Sequence, residues 1–126
     1  NWQARAMEKW VETIEHPMLS SHVKSMWMVA NFGMSNHCDW AGVEIRTSTL
    51  SRKEIEDFYE PRVIASYKTP EVSFEVYFPD AETRYSAIYH FIDELKRISL
   101  QTPGENTYLI LAIDAMHPAG EDIRCH

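Results

Sequence analysis

The chain has 126 residues, a hydrophobic fraction of 44%, and 19 acidic against 12 basic residues, which gives a formal charge of −7. This length fits one domain with a core of useful size, and the composition is that of a folded globular protein. No apolar run approaches the ~18 residues of a transmembrane helix, and no signal peptide is visible. We therefore expect a single cytoplasmic domain, residues 1–126, without membrane contact.

The negative charge opposes long-range attraction to phosphate backbones, because the basic residues do not cluster in the sequence. An acidic surface favours basic protein partners, and the same charge keeps a small domain soluble. The two cysteines, Cys38 and Cys125, are too few for a disulfide framework. Whether they pair stays open, and their number favours free thiols in a reducing compartment.

The first 34 residues predict a helical hairpin. Apolar residues recur at helical spacing over 2–15, and His16-Pro17 ends this helix because proline disfavours the α region for the residue before it. A second helix is expected from Ser20 to about Phe32, with Gly33 as its stop. This second helix is apolar on several sides, so it is buried on more than one side or its outer side meets a partner.

Residues 39–114 predict a core with the element order βαββαβ. Its strands are expected at 40–49, 62–67, 72–78 and 108–113, and its helices at 51–60 and 81–100. In the first strand, Val43 and Ile45 share one face, and Glu44 and Arg46 share the other. The buried stripe of the second helix is expected to consist of Tyr85, Ile88, Phe91, Ile92, Leu95 and Ile98. Ser51 and Glu54 have the spacing of a capping box at the start of the first of these helices. Tyr108 to Ile113 is apolar at every position. Residues 115–126 show no periodicity and predict an irregular tail.

The predicted fold class is α+β: an N-terminal helical hairpin followed by a ferredoxin-like, or split βαβ, four-stranded antiparallel sheet. Both core helices are expected on one face of the sheet. In this topology the last strand lies at an edge, although Tyr108 to Ile113 is the most apolar strand. Either the N-terminal hairpin covers the open face or edge of the sheet, or the strand order differs.

Metal-ligating residue types are densest at His37, Cys38 and Asp39. No CxxC, HExxH or i,i+4 histidine pair accompanies them, and adjacent residues on an extended chain point apart. This pattern favours an ordinary polar loop over a metal site. Cys38 with His37 or His117 resembles a nucleophile and its base in residue type, but no family cysteine signature supports it. Since no Gly-rich phosphate loop occurs either, we expect no cofactor.

The leading functional hypothesis is a non-enzymatic protein-binding module of regulator or inhibitor type. Its partner is expected to be another protein or a second copy of the chain, so self-association is part of the expectation. The acidic charge and the surplus of apolar residues near the N-terminus support it, because Trp and Met are typical interface anchors. The candidate partner-facing residues are Trp10, Met26, Trp27, Phe32, Met34 and Trp40.

The alternative hypothesis is a nucleic-acid-binding domain of winged-helix type. Residues 51–59 would be the recognition helix, with Ser51, Arg52 and Lys53 near the groove, and residues 18–30 would be the first helix. Four acidic residues in the same short helix oppose contact with phosphates. A third hypothesis is a small metal-dependent or Cys/His enzyme built on residues 37–39.

Overall fold

The chain folds into a four-stranded antiparallel sheet with helical layers on both faces, as shown by a computed structural model. The structure describes residues 5, 8–9, 11–12, 14–30, 37–66, 72–82 and 89–118. Within these ranges, side chains are described except at residues 30, 37–39, 61–66, 72–74, 89–90 and 113–118.

From Ser20 onward, the described part of the chain contains six helices and strands. They are β1 Ser20–Ala30, β2 His37–Ser48, α1 Arg52–Ser66, β3 Val72–Tyr77, α2 Tyr89–Gln101 and β4 Asn106–Pro118. The strand order in the sheet is β1-β2-β4-β3, and all neighbouring strands are antiparallel. Ahead of β1, residues 5, 8–9 and 11–12 are helical. The described helices include none with the length and apolarity that crossing a membrane requires.

The inner strand β4 explains why both faces of the sheet are covered. Successive side chains of a strand point to opposite faces, so Leu109 and Leu111 lie on one side and Tyr108 and Ile110 on the other. All four are at most 1% exposed. A strand that is buried on both faces is apolar along its whole length rather than at alternate positions.

Helix α2 covers the face of Leu109 and Leu111. The buried residues of this core are Ala41, Val43, Ile45, Phe91, Ile92, Leu95, Ile98, Leu109 and Leu111. The four α2 residues among them, Phe91 to Ile98, belong to the stripe that helical spacing predicts, so that part of the prediction is confirmed. Met26 and Met28 of β1 pack against the same core.

Helix α1 and the N-terminal segment share the opposite face. The buried residues of this second core are Val11, Ile55, Tyr59, Phe78, Tyr108, Ile110 and Ala112. Val11 lies in the helical N-terminal segment and is 0% exposed. The region before β1 is therefore an integral part of this layer and helps to cover the sheet.

The predicted helical hairpin is wrong, because Ser20–Ala30 is strand β1. Met26 and Met28 pack on the α2 side of the sheet, and the intervening Trp27 points to the other side. An apolar run with both faces partly buried fits a helix and a strand equally well, and periodicity alone does not separate them. The winged-helix arrangement fails for the same reason, since it needs a helix over residues 18–30.

The ferredoxin-like topology is also wrong. Its last strand would lie at an edge, whereas β4 lies between β2 and β3. Its two helices would share one face, whereas α1 and α2 pack on opposite faces. The physical reason is the apolarity of β4 on both sides, which requires a covering layer on each.

Local predictions had mixed outcomes. The capping box is confirmed, since the Ser51 amide donates to Glu54 Oε1 and the Glu54 amide donates to Ser51 Oγ, both at 3.2 Å. Strand β3 is confirmed within the predicted 72–78. Helix α1 continues through Pro61 to Ser66, so the strand predicted from residue 62 is wrong over 62–66. Proline lowers helix stability by about 3 kcal/mol, and that local preference did not decide where α1 ends.

Two element boundaries in the second half of the chain, the start of α2 and the end of β4, also differ from the prediction. Ala81 and Glu82 precede α2 without being helical, although the prediction began the helix there. The described helix begins at Tyr89. Strand β4 extends to Pro118, so residues 115–118 of the predicted irregular tail are strand. The rest of that tail, residues 119–126, lies outside the described residues.

Two leucines of α2 test this packing. Leu95 is 0% exposed and Leu100 is 85% exposed. Leu95→Ala is expected to lower the free energy of unfolding by about 2–5 kcal/mol, because it opens a cavity in the α2 core. Leu100→Ala should change it by less than about 0.5 kcal/mol. Urea unfolding measures both, and similar values for the two variants would contradict the position of α2.

Candidate functional site

Two charged residues lie inside the sheet layer. Residues 41–48 of β2 are all buried, and Glu44 and Arg46 are 1% and 8% exposed. The sequence predicts them on one face of the strand, opposite Val43 and Ile45, and this alternation is confirmed. Their face is nevertheless buried, because it lies on the side covered by α1 and the N-terminal segment. Buried charges in proteins are paired and hydrogen-bonded. The partners of Glu44 and Arg46 therefore show which parts of the chain these two side chains connect.

The Glu44 carboxylate is surrounded by three basic side chains. Its Oε1 accepts from Arg46 Nη1 at 2.6 Å and from His22 Nδ1 at 2.9 Å. Its Oε2 lies 3.2 Å from His16 Nε2. We call the group formed by these residues and the two tyrosines described next the Glu44 cluster; its members are His16, His22, Glu44, Arg46, Tyr59 and Tyr108.

A chain of hydrogen bonds links His16 to α1 and β4. His16 Nδ1 lies 2.8 Å from the Tyr59 hydroxyl, which lies 2.9 Å from the Tyr108 hydroxyl. His16 Nε2 donates to the backbone oxygen of Val11 at 2.9 Å. With a neutral imidazole, Tyr59 donates to His16 and accepts from Tyr108. With an imidazolium, both directions reverse and every bond is kept. The chain therefore tolerates either protonation state of His16.

The position of the His16 proton also explains an unbonded oxygen. Because His16 Nε2 donates to the Val11 oxygen, Glu44 Oε2 lies 3.2 Å from this nitrogen but accepts no hydrogen bond within the described part of the chain. Ser25 Oγ is likewise buried without a hydrogen-bond partner there. Ser25 lies directly opposite Glu44 in the β1–β2 register, so both atoms belong to the same side of the sheet.

Arg46 extends the cluster to the start of β1. Its Nη2 and Nε donate to Ser20 Oγ at 2.9 and 3.3 Å. Ser20 in turn closes a turn with Pro17, since its amide and its hydroxyl both donate to the Pro17 oxygen. Ser48 Oγ donates to the Leu19 oxygen at 2.8 Å. The charge pair therefore fixes the chain reversal that leads into the edge strand.

The electrostatics of the cluster favour an ionised carboxylate. Burial raises the pKa of Glu44, but contacts with His16, His22 and Arg46 outweigh it, so that the pKa lies below its ordinary 4.5. Burial, followed by the hydrogen bond to Tyr108, raises the pKa of Tyr59 far above its ordinary value. Tyr59 is therefore a neutral phenol at every physiological pH, and Glu44 carries the negative charge of the cluster.

This arrangement clamps several elements together. Glu44 and Arg46 of β2 hold the segment before β1 and the start of β1, and the tyrosines connect that segment to α1 and β4. Among the described residues, no group of three or more His, Cys, Asp or Glu side chains has the geometry to hold a metal ion. The Arg46 guanidinium beside Glu44 also opposes a cation at this place.

An exposed apolar surface lies next to the cluster. Met18 and Leu19, at the centre of the turn, are 99% and 63% exposed, and Val23 is 41% exposed. The β1–β2 register shifts between His22 and Lys24, which places Val23 in a bulge. Within the described chain β1 pairs with β2 alone, so its other side is a sheet edge. We call Met18, Leu19, Val23 and this open side of β1 the β1 edge surface.

Three of the six residues predicted to face a partner are described, and none of these three is Met18, Leu19 or Val23. Met26 packs against the α2 core and Trp40 against the α1 core, both half-buried. Trp27 is half-buried, with the Arg5 guanidinium 5.5 Å from the centre of its ring. The other three candidates, Trp10, Phe32 and Met34, lie outside the described residues.

The cysteine and histidine candidates are only partly described. His37, Cys38 and Asp39 form the start of β2, and the register places Cys38 directly opposite His117 of β4. The side chains at all four positions lie outside the description. Cys125 lies outside the described residues.

The predicted nucleic-acid-binding residues lie at the N-terminus of α1. Arg52 Nη1 donates to Asp80 Oδ1 at 2.6 Å, and its guanidinium lies 4.8 Å from the Phe78 ring centre. Lys53 Nζ donates to Asp57 Oδ2 at 3.0 Å. Both charges are therefore shared with acidic groups of the chain, while Ser51 is engaged in the capping box.

Sequence reasoning missed the Glu44 cluster. Glu44 and Arg46 were assigned to the polar face of a half-buried strand, where charges are ordinary. The sequence of β2 gives no sign of this burial, because Glu44, Arg46 and Ser48 alternate with Val43, Ile45 and Thr47 as on a strand with one solvent face. The partners give no local signal, since His22 is 22 residues from Glu44 and His16 is 43 from Tyr59.

Known proteins add nothing to this picture. Comparisons with protein-family models, with curated proteins and with solved structures each returned no match. Inferences about function therefore depend on the physical features of the chain itself.

Removing one hydroxyl tests the hydrogen-bond chain. Tyr59→Phe leaves His16 Nδ1 and the buried Tyr108 hydroxyl without their partner, so the free energy of unfolding should fall by about 1–3 kcal/mol. The control is Tyr77→Phe, which removes a hydroxyl that donates to Glu75 at a half-buried site. Urea unfolding at one pH should show the smaller effect for the control. Equal effects would mean that the Tyr59 hydroxyl contributes nothing special.

Proposed function

We propose that the protein is a non-enzymatic protein-binding module, of regulator or inhibitor type, that docks its partner on the β1 edge surface. The observation that carries this proposal is the coincidence of an open strand edge with three exposed apolar side chains, Met18, Leu19 and Val23. Partners commonly bind by adding an extended strand to such an edge, through main-chain hydrogen bonds and side-chain contacts. We also place this role in the cytoplasm, in line with the small number of cysteines.

The chemistry of β1 indicates the kind of partner. Of the 19 acidic residues in the chain, none lies between Ser20 and Ala30, where His22 and Lys24 are the titratable residues. The strand itself therefore carries no acidic side chain, while its two basic side chains contact carboxylates of β2 and α2: His22 bonds to Glu44, and Lys24 Nζ lies 3.5 Å from Glu94 Oε1. We propose that its occupant is an extended segment of another protein, apolar at alternate positions and acidic rather than basic. For this strand, the proposal replaces the expectation of a basic partner that the net charge suggests.

A second copy of the chain fits this edge less well. Two β1 strands side by side would bring together the same histidine and lysine, with no acidic residue in return. The bulge at Val23 and the charge of Lys24 also restrict indiscriminate edge pairing. A partner strand therefore binds only if its side chains complement those of β1, and a regulator requires this specificity.

Cross-linking at Val23 tests the docking surface. A photo-reactive residue at position 23 should capture a partner segment in extract of the source cell, whereas the same residue at position 100, which is also exposed and apolar, should not. The captured segment, made as a peptide, should bind at least about tenfold more weakly to Leu19→Asp than to the unaltered chain, because a buried leucine contributes about 1.5–3 kcal/mol.

Three outcomes would contradict the proposal. Equal capture from positions 23 and 100, or a peptide that binds Leu19→Asp normally, would mean that the β1 edge surface is not the docking site. Capture of a second copy, with a dimer by light scattering, would replace the partner segment with self-association. Duplex DNA or RNA binding that weakens with salt, and further in Arg52→Ala/Lys53→Ala, would favour the nucleic-acid alternative.

A further inference from the structure

The exposed apolar residues alternate with residues tied to Glu44. His16 precedes the turn and lies against Glu44 Oε2, Ser20 follows the turn and is held through Arg46, and His22 precedes the Val23 bulge and bonds to Glu44 Oε1. Met18, Leu19 and Val23 occupy the intervening positions of the same short segment. The Glu44–Arg46 pair thus anchors the chain on both sides of Met18 and Leu19 and directly before Val23.

We propose that Glu44 is a latch for the β1 edge surface: while ionised it holds residues 16–23 against the sheet, and its neutralisation releases that segment alone. This inference depends on the proposed function only for its biological consequence, because residues 16–23 include Met18, Leu19 and Val23 of the proposed docking surface. The release itself is a property of the isolated chain.

The energetic reason is the burial of Arg46. Without the carboxylate, a guanidinium that is 8% exposed loses its counter-ion, and an unpaired buried charge is strongly unfavourable. The guanidinium regains water most readily by leaving its place, which removes both donors from Ser20 Oγ. The turn through Met18 and Leu19 then loses the side-chain bonds that connect it to Arg46.

On acidification, the charge of each group that faces Glu44 becomes more positive or stays the same. His16 from the N-terminal segment and His22 from β1 can only gain positive charge, and Arg46 of β2 is already cationic. Tyr59 of α1 and Tyr108 of β4 are phenols and stay neutral in acid. Protonation of Glu44 therefore leaves only positive and neutral groups in the cluster.

The direction of the pH effect follows from the lowered pKa of Glu44. Its ionised form stabilises the folded latch above the ordinary value of 4.5, and this stabilisation is lost as the pH falls through the lower value in the fold. The opening is local because β1 pairs on one side only, whereas β2 and β4 each pair on two. Edge elements open at lower free energy than the core.

Hydrogen exchange read by mass spectrometry tests the latch without any partner. Glu44→Gln mimics the protonated carboxyl at neutral pH, so protection of residues 17–24 should fall by about tenfold or more. Protection of residues 107–112 in β4 should change less than twofold. The control is Glu94→Gln. It removes a carboxylate of α2 whose Oε1 lies 3.5 Å from Lys24 Nζ, on the face of β1 opposite Glu44. Protection should stay the same in both regions.

The unaltered chain provides an independent reading if Glu44→Gln does not fold. Between pH 6 and 3, after correction for intrinsic exchange, residues 17–24 should lose protection at higher pH than β4. Simultaneous loss in both regions, or unchanged protection of residues 17–24 in Glu44→Gln, would overturn the latch. Those results leave the cross-linking at position 23 unaffected, so the latch and the proposed function fail separately.

Discussion

The architecture depends on one buried ion pair, between the Glu44 carboxylate and the Arg46 guanidinium on an inner strand. Each charge would be strongly unfavourable alone at this place, and each therefore fixes the groups that compensate it. Arg46 holds Ser20 and the turn into β1, while Glu44 draws in His22 and His16. Through His16 the pair connects to the hydroxyls of Tyr59 and Tyr108. The polar face of β2 is thereby converted from a solvent face into a junction between the sheet, α1 and the N-terminal segment.

How much of this the sequence predicts depends on whether the information is local. The apolar run of β4, the buried stripe of α2 and the capping box at Ser51 are local patterns, and the structure confirms them. Strand β1 was misassigned because apolar side chains on both of its faces match a helix as well as a strand. The arrangement around Glu44 was out of reach, since its hydrogen bonds join residues up to 49 positions apart that only the strand order brings together.

The same strand order explains why function was hard to infer. Hydrophobicity directed attention to Met26, Trp27 and Trp40, yet Met26 and Trp40 pack against the two cores of the domain, and Trp27 is half-buried beside Arg5. Among the described residues, the large apolar side chains that are exposed are Leu100 of α2 and, in the turn and the bulge, Met18, Leu19 and Val23. The turn and the bulge do not bury Met18, Leu19 and Val23. Backbone hydrogen bonds and the Glu44–Arg46 ion pair hold the turn and the bulge in place, and so keep these side chains exposed. The same ion pair thus stabilises the fold and holds the β1 edge surface in its exposed position.

The most direct test of this account is the titration of the Glu44 carboxyl carbon by nuclear magnetic resonance, assigned by comparison with Glu44→Gln. A carboxylate that accepts hydrogen bonds from Arg46 and His22 should titrate with a midpoint below the ordinary 4.5. The Tyr59 hydroxyl environment should change over the same pH range, since His16 connects the two groups. A midpoint at or above 4.5 would show that burial outweighs the basic partners, and it would contradict the central role of the ion pair.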